Sequence, residues 1–169
     1  VVALARIATA LDGNWLPVPP SLGGGATLSG CYRYLLWRRW GPGRPVCWIG
    51  LNPSTADALT DDATIRRMVG FSKAWGYGAA TVVNLYAYRA TDPRDLAAAA
   101  ADPVGLDNDV QILASARSAG LVIACWGAFP RAAARAAEVR ALLQGIPLQV
   151  LGLTRDGHPR HPLYLRRDV

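Results

Sequence analysis

The sequence predicts a single α/β domain, built as a three-layer α/β/α arrangement around a mostly parallel central sheet. Short, nearly uninterrupted apolar runs recur at residues 46–51, 79–85, 121–126 and 147–151. They lack the polar alternation of a half-exposed strand, as expected where both sheet faces are covered. Helical patterns separate successive runs, which is the signature of a parallel sheet with crossover helices. The 169 residues, 51% hydrophobic and 18% charged, are enough for one core and do not require two.

Each element has its own signal. Residues 1–10 are apolar apart from Arg6 and Thr9, and Asp12 and Asn14 follow at once; they read as an ordinary terminal segment rather than a secretion signal. Residues 12–30 carry Pro17, Pro19, Pro20 and the run Gly23-Gly24-Gly25, which reads as a connector. Residues 1–27 are therefore expected to be an extension and connector, and residues 28–169 the domain. Residues 31–37 suit an edge strand, and 46–51 a central strand that stops at Pro53. Asp61 and Asp62 precede a helical face of Ile65, Met68, Val69, Ser72 and Trp75, where an aspartate caps first-turn amides. Gly76 and Gly78 end that helix. Residues 79–85 form the next strand, and Pro93 lies in the long loop behind it. Residues 107–119 form a helix, and 121–126 a strand ending at Gly127. Pro130 opens an alanine-rich helix through Leu143, Gly145 ends it, and 147–151 form the last strand. Right-handed crossovers place helices on both faces and gather the strand ends at one edge, where ligands bind.

No apolar run approaches the roughly 20 residues needed to span a bilayer. Cys31, Cys47 and Cys125 are widely spaced and odd in number, which favours buried, reduced thiols and a cytoplasmic location. The net charge of +6 comes almost wholly from arginine, Lys73 being the only lysine; residues 31–67 carry +3, 68–130 carry −1 and 131–169 carry +4. Arginine suits phosphate, so a basic face that attracts nucleic acid or nucleotide is one reading. Solubility through an arginine-biased composition is the other.

Two strand-end loops and the C-terminal segment concentrate polar groups. In Gly50-Leu51-Asn52-Pro53-Ser54-Thr55, Gly50 permits close backbone approach and Pro53 holds Asn52 extended. Asn52 can then orient water or a polar ligand, or simply make a turn. Ser54 can bond phosphate or cap a turn. In the loop from Asn84 to Pro93, Asn84 offers a donor and an acceptor to a base edge. Tyr86 and Tyr88 can stack on a base or cover the core, and Arg89 can hold phosphate or pair with Asp92. Asp61-Asp62 can poise water, but helix capping explains at least one of them; Asn108 and Asp109 have the same capping reading. His158 and His161, each followed by proline and separated by Arg160, can exchange a proton or donate to developing negative charge; His161 is favoured. The histidines lack the partner pattern of a zinc site. No cofactor or metal is expected. Ser54 is not in a nucleophile elbow.

These motifs identify a resemblance. Tyr32-Arg33-Tyr34, Leu51-Asn52-Pro53-Ser54-Thr55-Ala56, Asp62 with Thr64 and Arg66, and Asn84-Leu85-Tyr86-Ala87-Tyr88-Arg89 are similar to the DUF1643 family. So are Asp102-Pro103, Gly105, Asn108, Trp126-Gly127 and Gly157-His158-Pro159-Arg160-His161-Pro162-Leu163. The likeness covers about residues 28–165.

More distantly, the order of elements resembles the uracil-DNA glycosylase superfamily. Gly50-Leu51-Asn52-Pro53-Ser54 is similar to a glycine-isoleucine-asparagine-proline-glycine motif whose asparagine positions water. His161-Pro162-Leu163 is similar to a late histidine-proline-serine segment that contacts DNA. The sequence departs from that pattern in Ser54, in Leu163 and in having no iron-sulfur cysteine set. The resemblance implies that Asn52 directs water to C1′ of a flipped nucleotide and His161 stabilises the leaving base. It also implies that Asn84 reads the base edge, beside a stacking tyrosine, with Arg89 and Arg160 on phosphates. The expected function is an N-glycosidic hydrolase that releases an altered base from nucleic acid. The alternatives are a non-catalytic binder of nucleic acid or a modified base, an enzyme acting on a free nucleotide or nucleoside, and an interaction protein.

Overall fold

In the computed structural model, which describes residues 18–92, 94, 96 and 102–166, six strands form one sheet. They are β1 (Gly23–Ser29), β2 (Tyr32–Arg39), β3 (Val46–Gly50), β4 (Ala79–Asn84), β5 (Leu121–Ala124) and β6 (Leu148–Val150). Three α-helices lie among the described residues: α1 (Ala63–Ala74), α2 (Asn108–Ser118) and α3 (Ala133–Leu142). The strand order is β1-β2-β4-β3-β5-β6. The reading of residues 1–10 lies outside the described residues, as do Pro93 and residues 97–101 of the long loop.

The chain is α/β, but its sheet is mixed. Strands β4, β3, β5 and β6 pair in parallel, whereas β1–β2 and β2–β4 are antiparallel. The link between β2 and β3 covers only residues 40–45, too short for the crossover that a parallel connection needs. Residues 12–30, read as a connector, contain β1. The glycine run there makes room for neighbours. A Cβ at Gly24 would lie 2.7 Å from Arg38 Nη1, and one at Gly25 would lie 2.7 Å from Trp37 Nε1. Those long side chains cross the edge strand where it has none of its own.

Alternation along the strands divides the core. Val46, Trp48 and Val82 pack with Ile65, Met68 and Phe71 of α1. Cys47, Ile49, Val83 and Leu85 pack with Ile112 and Leu113 of α2 and Ala136 and Val139 of α3. Asp62 caps α1, its Oδ1 accepting from Ile65 N at 2.8 Å. The connection from β3 leads through α1 to β4 on one side, and the chain then crosses by way of α2 to β5 on the other. The ends of adjacent β3 and β5 thus feed helices that pack with opposite faces, the arrangement that opens a crevice at a sheet's carboxyl edge.

One irregularity bears on that crevice. Thr27 pairs with Leu35, but the next β1 residue, Leu28, pairs with Arg33, so Tyr34 is an extra residue on β2. Such a bulge re-aims the side chain beyond it. Without it Arg33 would share the α2 face with Leu35; with it Arg33 shares the α1 face with Leu36.

Candidate functional site

A cavity of about 410 Å³ occupies the crevice beyond β3, β4 and β5 on the α1 side. Its floor is Gly50, Asn52 and Asn84, and its walls include Arg33, Trp126 and Phe129. Asp62 and Thr64 from the start of α1, and His161 and Tyr164 from the C-terminal segment, complete it. That segment forms a 3-10 turn, Pro162–Tyr164, fastened to α1 by Arg67, which donates to the carbonyls of Pro162 and Leu165. Gly127 N donates to Pro159 O at 3.0 Å and ties the segment to the end of β5.

The two asparagines differ in what they have left to offer. Asn52 Nδ2 donates to Pro53 O at 3.0 Å and to Ala90 O at 2.7 Å. Its amide nitrogen is spent on backbone, which leaves Oδ1 as the atom for a ligand or water. Asn84 is 3% exposed, and its Nδ2 has no partner. A Cβ at position 50 would lie 2.7 Å from Asn84 Oδ1, so Gly50 is what lets that amide lie across the end of β3. Below it, Asn108 Nδ2 holds the carbonyls of Asn84 and Leu85, each at 3.0 Å. Asn108 was read as a helix cap; it is instead a buried brace for the end of β4.

His161 accepts from Leu163 N through Nδ1 at 3.4 Å, which leaves its proton on Nε2. Burial lowers its pKa, and the nearby Asp62 charge pulls in the opposite direction. Burial thus favours the neutral imidazole, with Nε2–H as its donor. Asp62 keeps its capping bond and also lines the cavity.

Of the residues singled out in the sequence, Asn52, Ser54, Asn84 and His161 meet at this cavity. Asp62, read as a cap that can also poise water, lines it as well, whereas Tyr86, Tyr88, Arg89, His158 and Arg160 do not. Tyr88 and Arg89 line a shallower hollow with Cys31, which Ser54 shares, and Tyr88 packs edge-on against Tyr32. Tyr86 packs on the α2–α3 side of the sheet, its hydroxyl donating to Arg131 O at 3.3 Å. His158 lines a separate cavity of about 190 Å³ with Arg140 and Asp156. Arg160 Nε donates to Leu153 O at 3.1 Å.

The structure adds Arg33, which the sequence placed in a motif but gave no task. It is 2% exposed, donates through Nη1 to Ala56 O, and has no partner for Nε. Burial pulls its guanidinium down to about 10, with Asp62 opposing. Tyr164, 81% exposed at the cavity mouth, is a second addition, standing directly after the histidine-proline motif that pointed to the site.

Cys47 and Cys125 are buried free thiols and Cys31 an exposed one; burial pushes Cys47 up to about 12. Among the described residues no cluster of histidine, cysteine, aspartate or glutamate could hold a metal ion. No helix among them is long and apolar enough to cross a membrane. Residues 33–163 match the family model described as "Protein of unknown function (DUF1643)". No curated protein and no solved structure matches the chain.

Proposed function

Because the chain belongs to the DUF1643 family, whose description assigns no activity, its own cavity must carry the reading. We propose that this cavity is the active site of an N-glycosidic hydrolase that takes in one nucleotide unit and releases its base. The observation that carries the reading is the convergence of three unspent polar atoms: Asn52 Oδ1, the Asn84 amide and the Nε2–H of a neutral His161.

Their chemistry fits that bond. Water held by Asn52 Oδ1 adds to C1′ as the bond from C1′ to the base nitrogen breaks. The electron pair leaves with the base, where His161 Nε2–H stabilises it. The proton shed by the water passes to the Asp62 carboxylate and on to the departing base. Asn84 reads the base edge, and Trp126, Phe129 or Tyr164 supplies a stacking surface. Arg89 and Arg160 stand outside the cavity, where they would meet phosphates only if the nucleotide unit belonged to a strand. The turn at Asn52 and the His161-Pro162 segment support a likeness to the uracil-DNA glycosylase superfamily, with its three-layer sheet and flipped-base chemistry. Buried, unpaired Cys47 and Cys125 suit a reducing compartment, the cytoplasm.

One observation favours a non-catalytic binder. Asp62 is the one carboxylate among the described residues of the cavity, and an oxygen of it is engaged in capping α1. Base release, read by mass spectrometry, separates the two. The panel should hold single- and double-stranded DNA and RNA with altered bases, together with free nucleosides and nucleotides. Hydrolysis predicts free base from at least one substrate, falling roughly 10²–10³-fold in Asn52→Ala or His161→Ala. Binding without release in folded protein would leave the binder reading.

A further inference from the structure

Arg33 is a buried cation that the described fold leaves largely unsatisfied. The extra residue at Tyr34 turns it toward the α1 face. There it lines the cavity at 2% exposure, with Nη1 alone engaged by a protein partner and Nε unpartnered. No carboxylate among the described residues forms an ion pair with it. Asp62 and Asp57 act on it only through their fields, against those of Arg38 and Arg89. A buried charge without a counter-ion is costly, and the guanidinium fork is shaped for a phosphate or carboxylate.

We propose that Arg33 forms an anion subsite inside the cavity and that the substrate is a free nucleoside 5′-monophosphate, an assignment that rests on the reading of the cavity as a nucleotide site. The depth of Arg33 decides between free nucleotide and polymer. An internal phosphodiester carries chain on both sides and stays at the rim, whereas a terminal monophosphate enters with its sugar. In the strand order β2-β4-β3-β5, Arg33 lies at one side of the cavity, and His161, beside Gly127 after β5, lies at the other. Three strand spacings, about 14 Å, separate the two sides and place phosphate and base at opposite ends. The cavity volume of about 410 Å³ falls in the range of small-molecule sites.

The test is calorimetric titration of wild type and Arg33→Met. The probes are the four common ribonucleosides, their 5′-monophosphates, inorganic phosphate, and short oligonucleotides of the same bases without terminal phosphates. In wild type, one monophosphate should bind about ten- to a hundredfold tighter than its nucleoside and clearly tighter than the oligonucleotide. In Arg33→Met the gap between nucleotide and nucleoside should shrink below about threefold. Equal binding of nucleotide and nucleoside, a gap that survives the substitution, or preference for the oligonucleotide would each overturn the proposal. Should Arg33→Met not fold, wild type decides: inorganic phosphate must compete with the monophosphate and leave nucleoside binding unchanged, and failure to compete overturns the subsite. Base release is scored separately. Monophosphate binding through Arg33 without release keeps the subsite and removes the hydrolase; release from oligonucleotides, unaffected by Arg33→Met, does the reverse.

Discussion

Two buried arginines sit at the same edge of the sheet, on opposite faces, with opposite bonding. Arg135 of α3 is 6% exposed; its Nε donates to Leu85 O at 2.9 Å, and its two amino groups reach Asp109 and Glu138. Arg33 is buried as deeply but engages Ala56 O alone. Around Arg135 the edge is closed, with Asn108 holding the neighbouring carbonyls. Around Arg33 it is open, and Asn84 beside it also has an idle donor. Buried polar groups in a folded chain are normally bonded. On the closed side Asn108 leaves an acceptor, Oδ1, without a partner, whereas the open side leaves two donors idle, Arg33 Nε and Asn84 Nδ2; the contrast is therefore one of unmatched donors facing a cavity.

That contrast can be broken by giving both arginines the same change. Arg135→Met breaks the bonds to Leu85 O, Asp109 and Glu138 together, although Asn108 still holds Leu85 O, and should cost roughly 1–3 kcal/mol, read by urea unfolding. Arg33→Met gives up one bond, to Ala56 O, but also removes a buried cation that has no counter-ion, so the ligand-free variant should stay within about 1 kcal/mol of wild type. If the order reverses, Arg33 is a clamp for the 51–62 loop and the contrast fails. A smaller effect is expected at Asn84. Asn84→Leu replaces an amide with an unpartnered donor by an apolar side chain of similar size. It should leave stability unchanged or raise it by up to about 1 kcal/mol, while nucleotide binding falls. A loss of stability would mean that the amide is satisfied within the fold.

The sequence revealed much of the closed side and only part of the open one. Apolar runs and glycine stops placed β3, β4, β5 and β6 and the helices between them, because burial on both faces leaves a continuous pattern. The Asp62 cap was legible for the same local reason. The glycines of β1 misled because their purpose is to leave room for Arg38 and Trp37 across the strand, which no local signal records. Arg33 was hidden by the bulge: period-2 reasoning assigns it to the wrong face. Asn52 and His161, which line the cavity, stand out in the sequence because each precedes a proline at a strand end or late turn. Tyr86, Tyr88, Arg89 and Arg160 look suitable for ligands in sequence, but their distance from the cavity depends on packing. The arginine-rich charge has a third reading besides phosphate binding and solubility. Arg38, Arg39, Arg44 and Arg67 each donate to backbone carbonyls of loops or element ends, so part of it fastens the chain.

The smallest expected effect tests whether the open side withholds water from every charge it contains. Burial lowers the pKa of His161 from its ordinary 6.5, with Asp62 opposing, so the folded chain prefers the neutral ring. As pH falls below about 6.5 the unfolded chain takes up the proton first, and stability declines until the lowered folded value is passed. Protonation also removes the Nδ1 lone pair that accepts from Leu163 N. Wild type should therefore lose more thermal stability than His161→Gln between pH 7.5 and 5.5, measured by parallel melts in one buffer series. Groups remote from position 161 contribute equally to both proteins, so the difference between the two curves reports His161 together with its interaction with Asp62. Parallel curves would mean that the imidazole is as well solvated as a surface histidine. The cavity would then discriminate against charge at Arg33 alone, and the donor role given to a neutral His161 would lose its basis.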